Sequence, residues 1–237
     1  MALAHLGMSG LRLTLGGVPL CIDPPAPGPE PAVVTWSEAE RVRGAAGRSL
    51  AALPSVLGWL GQDGTALRLG QSVCFADATV LAVSYVPIPY ATPQEALRKT
   101  MIGLRHPRLA ARRLSHTLRR PPAPPVALLI TRGGFRVGVL GQALHRFLSA
   151  TDEAALVARF SGCDLLIASP DFDDEEACGT LLSRIPAKVP VLADQIGPVR
   201  RHLGLPTRPL NTSMRWAPPD TLLLPEHSSL PSNLWSA

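Results

Sequence analysis

Side chains that could do chemistry follow a short apolar stretch near the amino end of the chain. The stretch covers residues 32–35, and Trp36, Glu38, Glu40 and Arg41 come within the next six residues. Carboxylate oxygens are the donors that hard cations such as Mg²⁺, Mn²⁺ or Ca²⁺ prefer. Arg41 carries a permanent positive charge, so it could instead pair with these carboxylates and fill the same space with an ion-paired network.

The residues around this cluster predict a strand that runs directly into a helix. Residues 32–35 are small or β-branched, and Ser37 suits the N-cap of a helix with Glu40 three positions later. Side chains at such a junction project from the carboxyl end of the strand, where many α/β proteins place their sites. The junction is therefore the first candidate for a functional site.

Apolar alternation and continuous apolar runs predict the other strands, and helical spacing predicts the helices. The predicted strands are a hairpin of short strands within 2–23, a pair at 71–76 and 79–85, a hairpin at 126–131 and 135–140, and single strands at 163–168, 190–194 and 221–224. The predicted helices cover 37–60 with interruptions, 93–120 in two parts, 152–160, and a segment ending near 185. We expect 71–76 and 79–85 to be neighbours in the first of two sheets. The acidic run 171–176 could gather a hard cation, but acidic groups also favour a helix N-terminus, which is the simpler interpretation.

The junction after residues 32–35 resembles the second motif of the metallo-β-lactamase fold superfamily, Thr-His-x-His-x-Asp-His after an apolar strand. Thr35 matches this motif, and the ligand positions fall on Trp36, Glu38, Glu40 and Arg41. Residues Gly7 and Asp23-Pro24 are similar to the opening of the ascorbate-phosphate-lactonase-like branch, although Met8 stands where that branch often has His.

Later segments also resemble the superfamily, and they also lack the metal ligands that it has at these positions. Gln142 stands where a superfamily strand ends in Gly-Asp, and Asp194 stands where the last strand delivers a His. No His occurs between His5 and His106, so the ligand expected near Pro87 is also missing.

The resemblance covers about residues 4–196 and implies an α/β fold, a four-layered αβ/βα sandwich with two mixed β-sheets flanked by helices. In the family, the site at the sheet edge binds two divalent metals and hydrolyses its substrate through a metal-bound hydroxide. A Trp offers no lone pair to a metal, an Arg adds positive charge, and an amide oxygen binds transition metals poorly. We therefore expect no metal site, no zinc cofactor and no catalytic residues at Trp36, Glu38, Glu40, Arg41, Gln142 and Asp194.

Length and composition predict one domain with a full core. Residues 1–225 form the predicted domain, with a basic helical insert at about 93–120, and residues 226–237 form a Pro- and Ser-rich tail. The four cysteines form no Cys-x-x-Cys pattern, and no apolar run reaches about 18 residues, so we expect buried thiols and a cytoplasmic protein without a membrane span. Twenty-five prolines and only two lysines indicate a high-GC bacterial source.

The net charge of +5 comes largely from residues 93–120, which hold eight basic residues against Glu95 alone. The residues expected to contact a ligand or partner are Arg98, Arg105, Arg108, Arg112 and Arg113. Such a segment could hold an anionic ligand, a nucleic-acid backbone or an acidic protein surface, or it could be a solvated basic face. No aromatic residue is interleaved with the basic ones, which argues against nucleic-acid binding.

Two functions from different classes remain open at this point. The first is a catalytically inactive hydrolase-fold protein that acts as a binding or scaffold protein, with a protein partner or a second copy of itself. The alternative is a hydrolase with a rearranged site, with or without a metal, that uses Glu38, Glu40, Asp194 and His145 on a small anionic substrate. Tyr85 and Tyr90 are expected either in a pocket wall or in ordinary packing at the rim.

Overall fold

The computed structural model describes residues 2–7, 10–24, 30, 32–33, 56–57, 59–60, 67–68, 70, 72–75, 77–85, 93–94, 97, 100–101, 104, 126–141, 148–169, 175–194, 221–225 and 227–230. In chain order the strands are β1 (Ala2–Gly7), β2 (Gly10–Leu15), β3 (Val18–Ile22), β4 (Ala32–Val33), β5 (Val56–Leu57), β6 (Trp59–Leu60), β7 (Leu67–Arg68), β8 (Ser72–Phe75), β9 (Ala78–Ser84), β10 (Val126–Arg132), β11 (Phe135–Gly141), β12 (Cys163–Ala168), β13 (Ala187–Asp194), β14 (Leu222–Pro225) and β15 (Ser229–Leu230). Two helices have described bounds, α1 (Ala150–Phe160) and α2 (Glu175–Arg184).

The strands form two mixed sheets, as predicted. The first sheet has the order β15-β1-β2-β3-β4-β6, in which β3 and β4 are parallel and the other neighbours are antiparallel. The second has the order β14-β13-β12-β11-β10-β9-β8, parallel from β11 to β14 and antiparallel elsewhere. Strands β5 and β7 form a separate antiparallel pair.

The main core lies between the two sheets. In β2, Leu11, Leu13 and Leu15 are buried and Arg12 is exposed, because alternate residues of a strand face opposite sides. The second sheet contributes apolar side chains from β9 to β14 to the same cluster. This shared cluster holds the two sheets face to face.

Helices α1 and α2 cover the other face of the second sheet. Leu156 and Phe160 of α1 and Leu181 of α2 belong to a second cluster that also includes Leu166 and Leu192 from the sheet. The structure therefore describes three layers, two sheets and one layer of helices. The sequence predicts a fourth layer of helices, and most residues of the predicted helices within 37–55 and 93–120 lie outside the described residues.

Gly138 of β11 lies where helix α1 packs against the sheet. A Cβ at this position would stand 2.7 Å from Leu166 Cδ1 and 2.7 Å from Phe160 Cδ1, closer than carbon atoms can approach without a shift. Both neighbours are fully buried, so neither can move aside freely. This position accommodates glycine because it has no Cβ.

We expect Gly138→Ala to lower the free energy of unfolding by about 1–3 kcal/mol, because overpacking strains the contact between α1 and the sheet. Urea unfolding monitored by circular dichroism would measure the loss. Thr79→Ala, at an exposed position of β9, serves as the control and should change stability by less than about 0.5 kcal/mol. Equal stability of Gly138→Ala and the natural chain would contradict the packing described here.

Helix α1 is held at both ends by side chains outside it. The hydroxyl of Ser149 at the N-cap accepts a hydrogen bond from the Asp152 backbone N–H at 3.1 Å. At the other end, the Arg136 guanidinium donates to the carbonyl oxygens of Arg159 at 2.8 Å and Ser161 at 3.1 Å. The Ser149 bond satisfies an N–H group, and the two Arg136 bonds satisfy carbonyl groups, at the helix ends where the helix itself provides no partner.

Asp164 links the three parallel strands β11, β12 and β13. Its carboxylate accepts the Arg136 backbone N–H at 2.8 Å and lies 2.7 Å from Lys188 Nζ. Burial by itself would raise the pKa of Asp164, but the hydrogen bonds from Lys188 and Arg136 outweigh it and lower that pKa below its ordinary value.

We expect Asp164→Asn to weaken the acid sensitivity of the fold. The lowered pKa means that Asp164 stabilises the protein at neutral pH and loses this contribution as the pH falls from about 4 through the lowered value. The loss at pH 7 should be no more than about 1 kcal/mol, since Lys188 is largely exposed. Urea unfolding from pH 3 to 7 would test this, and parallel pH profiles for the two proteins would contradict it.

Two predictions about the fold are wrong in part. Residues 56–57 and 59–60 form strands and not the end of a helix, because Trp59 and Leu60 pair with Val33 and Ala32 of β4. Strands β8 and β9 belong to the second sheet and not to the first, since β9 pairs with β10 along its length. Within the predicted tail, Ser229–Leu230 forms β15 and pairs with β1.

Candidate functional site

The candidate site is the edge of the sandwich where several strands reach their carboxyl ends. Strands β11, β12, β13 and β14 run parallel, and their pairing places Gly141 beside Ala168, Ala168 beside Leu192, and Asp194 beside Pro225. Asp194 is the last residue of β13. We call this side of the sandwich the strand-end edge.

Strand β9 reaches the strand-end edge from the other half of the sheet. It is antiparallel to β10, which is antiparallel to β11, so β9 and β11 point the same way. Tyr85 follows the last residue of β9 and therefore lies at this edge. Its side chain is only 2% exposed, and its hydroxyl donates to the Leu140 carbonyl oxygen at 3.3 Å.

The first sheet brings its own strand ends to the same place. Asp23 follows β3, and its backbone N–H donates to the carbonyl oxygen of Val33, the last residue of β4, at 2.9 Å. Burial, then the nearby Asp23 carboxylate and the Cys178 thiol, raises the pKa of Tyr85 far above its ordinary value. The Asp23 carboxylate after β3 is therefore near enough to Tyr85 after β9 for its charge to act on the Tyr85 hydroxyl.

The predicted site residues can now be placed relative to this edge. Trp36, Glu38, Glu40 and Arg41 lie outside the described residues, but β4, which ends at Val33, brings the chain to the strand-end edge just before them. Gln142, which directly follows Gly141, and His145, four residues after Gly141, also lie outside the described residues. Because neighbouring strands are about 4.8 Å apart, the ends of β11 and β13 are separated by about 10 Å.

Most of the buried polar side chains among the described residues lie at this edge. Asp23 and Ser169 directly follow β3 and β12. His5 pairs with Leu11, which pairs with Ile22, the last residue of β3, so His5 also lies near this edge. All three are at most 5% exposed, and each makes polar or electrostatic contacts in the structure. The other described side chains of the core between the sheets are apolar, so its described buried polar groups are gathered at the strand-end edge.

Sequence reasoning assigned no role to His5 or Ser169. His5 lies two residues after Leu3 in β1, so the period of two places both on the inner face of the first sheet. Ser169 follows an apolar run and precedes Pro170, which indicates the end of a strand. These local signals were present, but only the pairing of the strands shows that both residues belong to one edge.

Cys21 is unsuited to act as a nucleophile. It is buried in β3, and its Sγ donates a hydrogen bond to Glu30 Oε2 at 3.0 Å, while Glu30 also pairs with Arg12. Burial and the hydrogen bond to Glu30 raise the pKa of Cys21 to about 12. The thiol therefore stays protonated at neutral pH, and the reactive thiolate does not form.

Neither a metal cluster nor a membrane span is found in the described part of the chain. Among the described ranges, no three His, Cys, Asp or Glu side chains are arranged to hold a metal ion. Likewise, none of the helices within those ranges has the length and apolar character needed to cross a bilayer.

The other predicted binding segments are placed only in part. Arg98, Arg105, Arg108, Arg112 and Arg113 of the basic insert lie outside the described residues, as do Tyr90 and residues 171–174. Leu97, Met101 and Leu104 are helical and exposed. Helix α2 begins at Glu175, which agrees with the helix-start interpretation of the acidic run.

The chain is similar in structure to two proteins of solved structure at 11% sequence identity. One is the metallo-beta-lactamase fold protein YhfI from Bacillus subtilis, with a TM-score of 0.53 over 97% of this chain and 98% of that chain. The other is Igni18, a metallo hydrolase from the archaeon Ignicoccus hospitalis, with a TM-score of 0.51 over 97% of each chain. No protein-family model and no curated protein sequence matches the chain. The similarity shows the metallo-β-lactamase fold, and it shows the fold alone.

Proposed function

We propose that this chain is a binding protein built on the metallo-β-lactamase fold, without the metal and without the hydrolase activity associated with that fold. The observation that carries this proposal is the chemistry of the positions that the resemblance assigns to metal ligands. They hold Trp36, Glu38, Glu40, Arg41, Gln142 and Asp194. No imidazole remains among them, and zinc sites in proteins rely on imidazole, thiolate and carboxylate donors.

This donor set does not fit zinc. Trp36 has no lone pair to offer, and the guanidinium of Arg41 would repel a cation in the same space. The amide oxygen of Gln142 is neutral and replaces an anionic bridge. Structural zinc sites derive about 10 kcal/mol or more from well-placed ligands, and most of these ligands are replaced here.

The remaining charged groups favour an ion-paired network over a metal. Glu38, Glu40 and Asp194 supply three carboxylates, and Arg41 supplies a positive charge next to them in the sequence. A buried charge must be paired to be tolerated, and the polar strand-end edge is a suitable place for such a network. In this proposal Arg41 occupies the position that a metal occupies in a hydrolase.

The metal content of the purified protein tests the proposal. We expect less than about 0.1 zinc, manganese or iron per chain by elemental analysis after purification without chelators, since no imidazole is left among these positions and Arg41 would compete with a cation for the carboxylates. Phosphodiester, lactone and thioester substrates with added divalent metals should be hydrolysed no faster by the natural chain than by its Glu38→Ala variant. About one metal per chain, or hydrolysis that Glu38→Ala abolishes, would refute the proposed function.

A further inference from the structure

Three apolar side chains form an exposed stripe on the helical segment that follows β9. Leu97, Met101 and Leu104 are 65%, 45% and 70% exposed. Their spacing of four and three residues places them on one side of a helix. In the described part of the chain, the only other exposed large apolar side chain is Val18, which is 36% exposed. We call the three residues the 97–104 stripe.

The 97–104 stripe lies within the most basic segment of the sequence. Arg98 and Lys99 follow Leu97 directly, and Arg105 follows Leu104. Residues 93–120 hold eight basic residues and one acidic residue, whereas the remainder of the chain holds 15 basic and 17 acidic residues. The stripe is therefore an apolar surface in a strongly positive stretch of an otherwise nearly neutral chain.

We propose that the 97–104 stripe inserts into an apolar groove with an acidic rim on a protein partner. A stripe of side chains on a helix is convex, so its natural complement is a groove that receives residues at i, i+4 and i+7. The excess positive charge of residues 93–120 would attract acidic groups at the rim of that groove, which orients the partner and accelerates association. This inference rests on the proposed function, because it names the class of partner for a non-catalytic binding protein.

Charge and composition favour this partner over two others. A second copy that used the same surface around a two-fold axis would bring two strongly basic segments together, and like charges across an interface cost free energy. A lipid surface is usually engaged by helices that include Trp or Phe, and residues 93–120 contain no aromatic residue.

Site-specific photocrosslinking identifies the partner of the stripe. p-Benzoylphenylalanine would replace Leu97 or Leu104 in the full chain produced in its source cell, and Val18 would carry the same group as the matched control. We expect one discrete protein to be crosslinked from positions 97 and 104 and not from position 18. The crosslinked peptide should hold more Asp and Glu than Lys and Arg.

Binding between the two purified proteins then tests the chemistry. We expect the double variant Leu97→Ser, Leu104→Ser to weaken affinity by about tenfold or more, since both side chains would be buried in the groove. Affinity should also fall as salt concentration rises. Val18→Ser should bind as the natural chain does. All variants should melt at the temperature of the natural chain, because the substituted side chains are exposed.

Several results would overturn the inference. In the crosslinking experiment, these are crosslinks only to a second copy of the chain, crosslinks to lipid, or no crosslink at all. In the binding experiment, it is an affinity that changes neither in the double variant nor with salt concentration. Metal content and hydrolysis do not enter this experiment. Its failure would therefore leave the proposed function standing, and a metal-loaded, active protein would refute that function without affecting the crosslinks.

Discussion

A variant with six substitutions at the positions that the resemblance assigns to metal ligands is expected to bind about one zinc ion per chain or more, whereas we expect the natural chain to bind none. The substitutions restore the ligands that the resemblance assigns to these positions. They are Trp36→His, Glu38→His, Glu40→Asp, Arg41→His, Gln142→Asp and Asp194→His. The expectation follows because β4, β11 and β13 all reach the same edge, so side chains that follow or end them can converge on one ion.

Elemental analysis and a competitive zinc indicator would measure the restored site. The matched control carries only the four substitutions at positions 36–41, and we expect weaker zinc binding because Gln142 and Asp194 then supply no new ligand. Thermal unfolding should shift upward with zinc for the six-fold variant, because a ligand that binds only the folded state stabilises it. A folded six-fold variant that binds no zinc would show that these positions do not converge.

Tyr85→Ala is expected to lower the free energy of unfolding by about 3–5 kcal/mol, the range for the loss of a buried aromatic side chain. Tyr85 is among the largest fully buried side chains and belongs to the cluster between the second sheet and its helices. Its hydroxyl, next to the end of β9, also donates a hydrogen bond to the carbonyl oxygen of Leu140 in β11. Its burial shows that Tyr85 is packed in the interior and does not line an open pocket.

Tyr85→Phe separates the contribution of the ring from that of the hydroxyl. Phe keeps the aromatic volume and loses only the bond to Leu140, so we expect a loss of about 1 kcal/mol. Urea unfolding of both variants at pH 7 provides the comparison. A Tyr85→Ala variant as stable as Tyr85→Phe would mean that the ring contributes little to the packing at this edge.

Local sequence patterns were sufficient for most individual elements. Alternation in Leu11, Leu13 and Leu15 gives β2, and the continuous apolar run from Cys163 to Ala168 gives β12. The sequence predicts a helix over 152–160, and α1 begins two residues earlier, at Ala150 after the N-cap Ser149. These signals are local because the side-chain period of a strand or helix and its capping depend on neighbouring residues.

Strand partners could not be predicted in the same way. Strands β8 and β9 were assigned to the wrong sheet, and β15 pairs with β1 from the far end of the chain. A strand pattern shows which side of the strand is apolar but not which other strand completes it. That choice depends on the free energy of packing the whole core, which no single segment contains.

For the candidate site, the amino-acid sequence by itself determined which side chains are present, because the identity of Trp36 and Arg41 is a matter of residue type. It also determined the concentration of positive charge in residues 93–120. The tertiary structure alone decided that β4, β9, β11 and β13 end at one edge, and that His5, Asp23 and Ser169 are buried there. The reason is physical: residue type fixes what a side chain can bind, whereas proximity between distant segments arises only when long-range strand pairing and core packing bring them together.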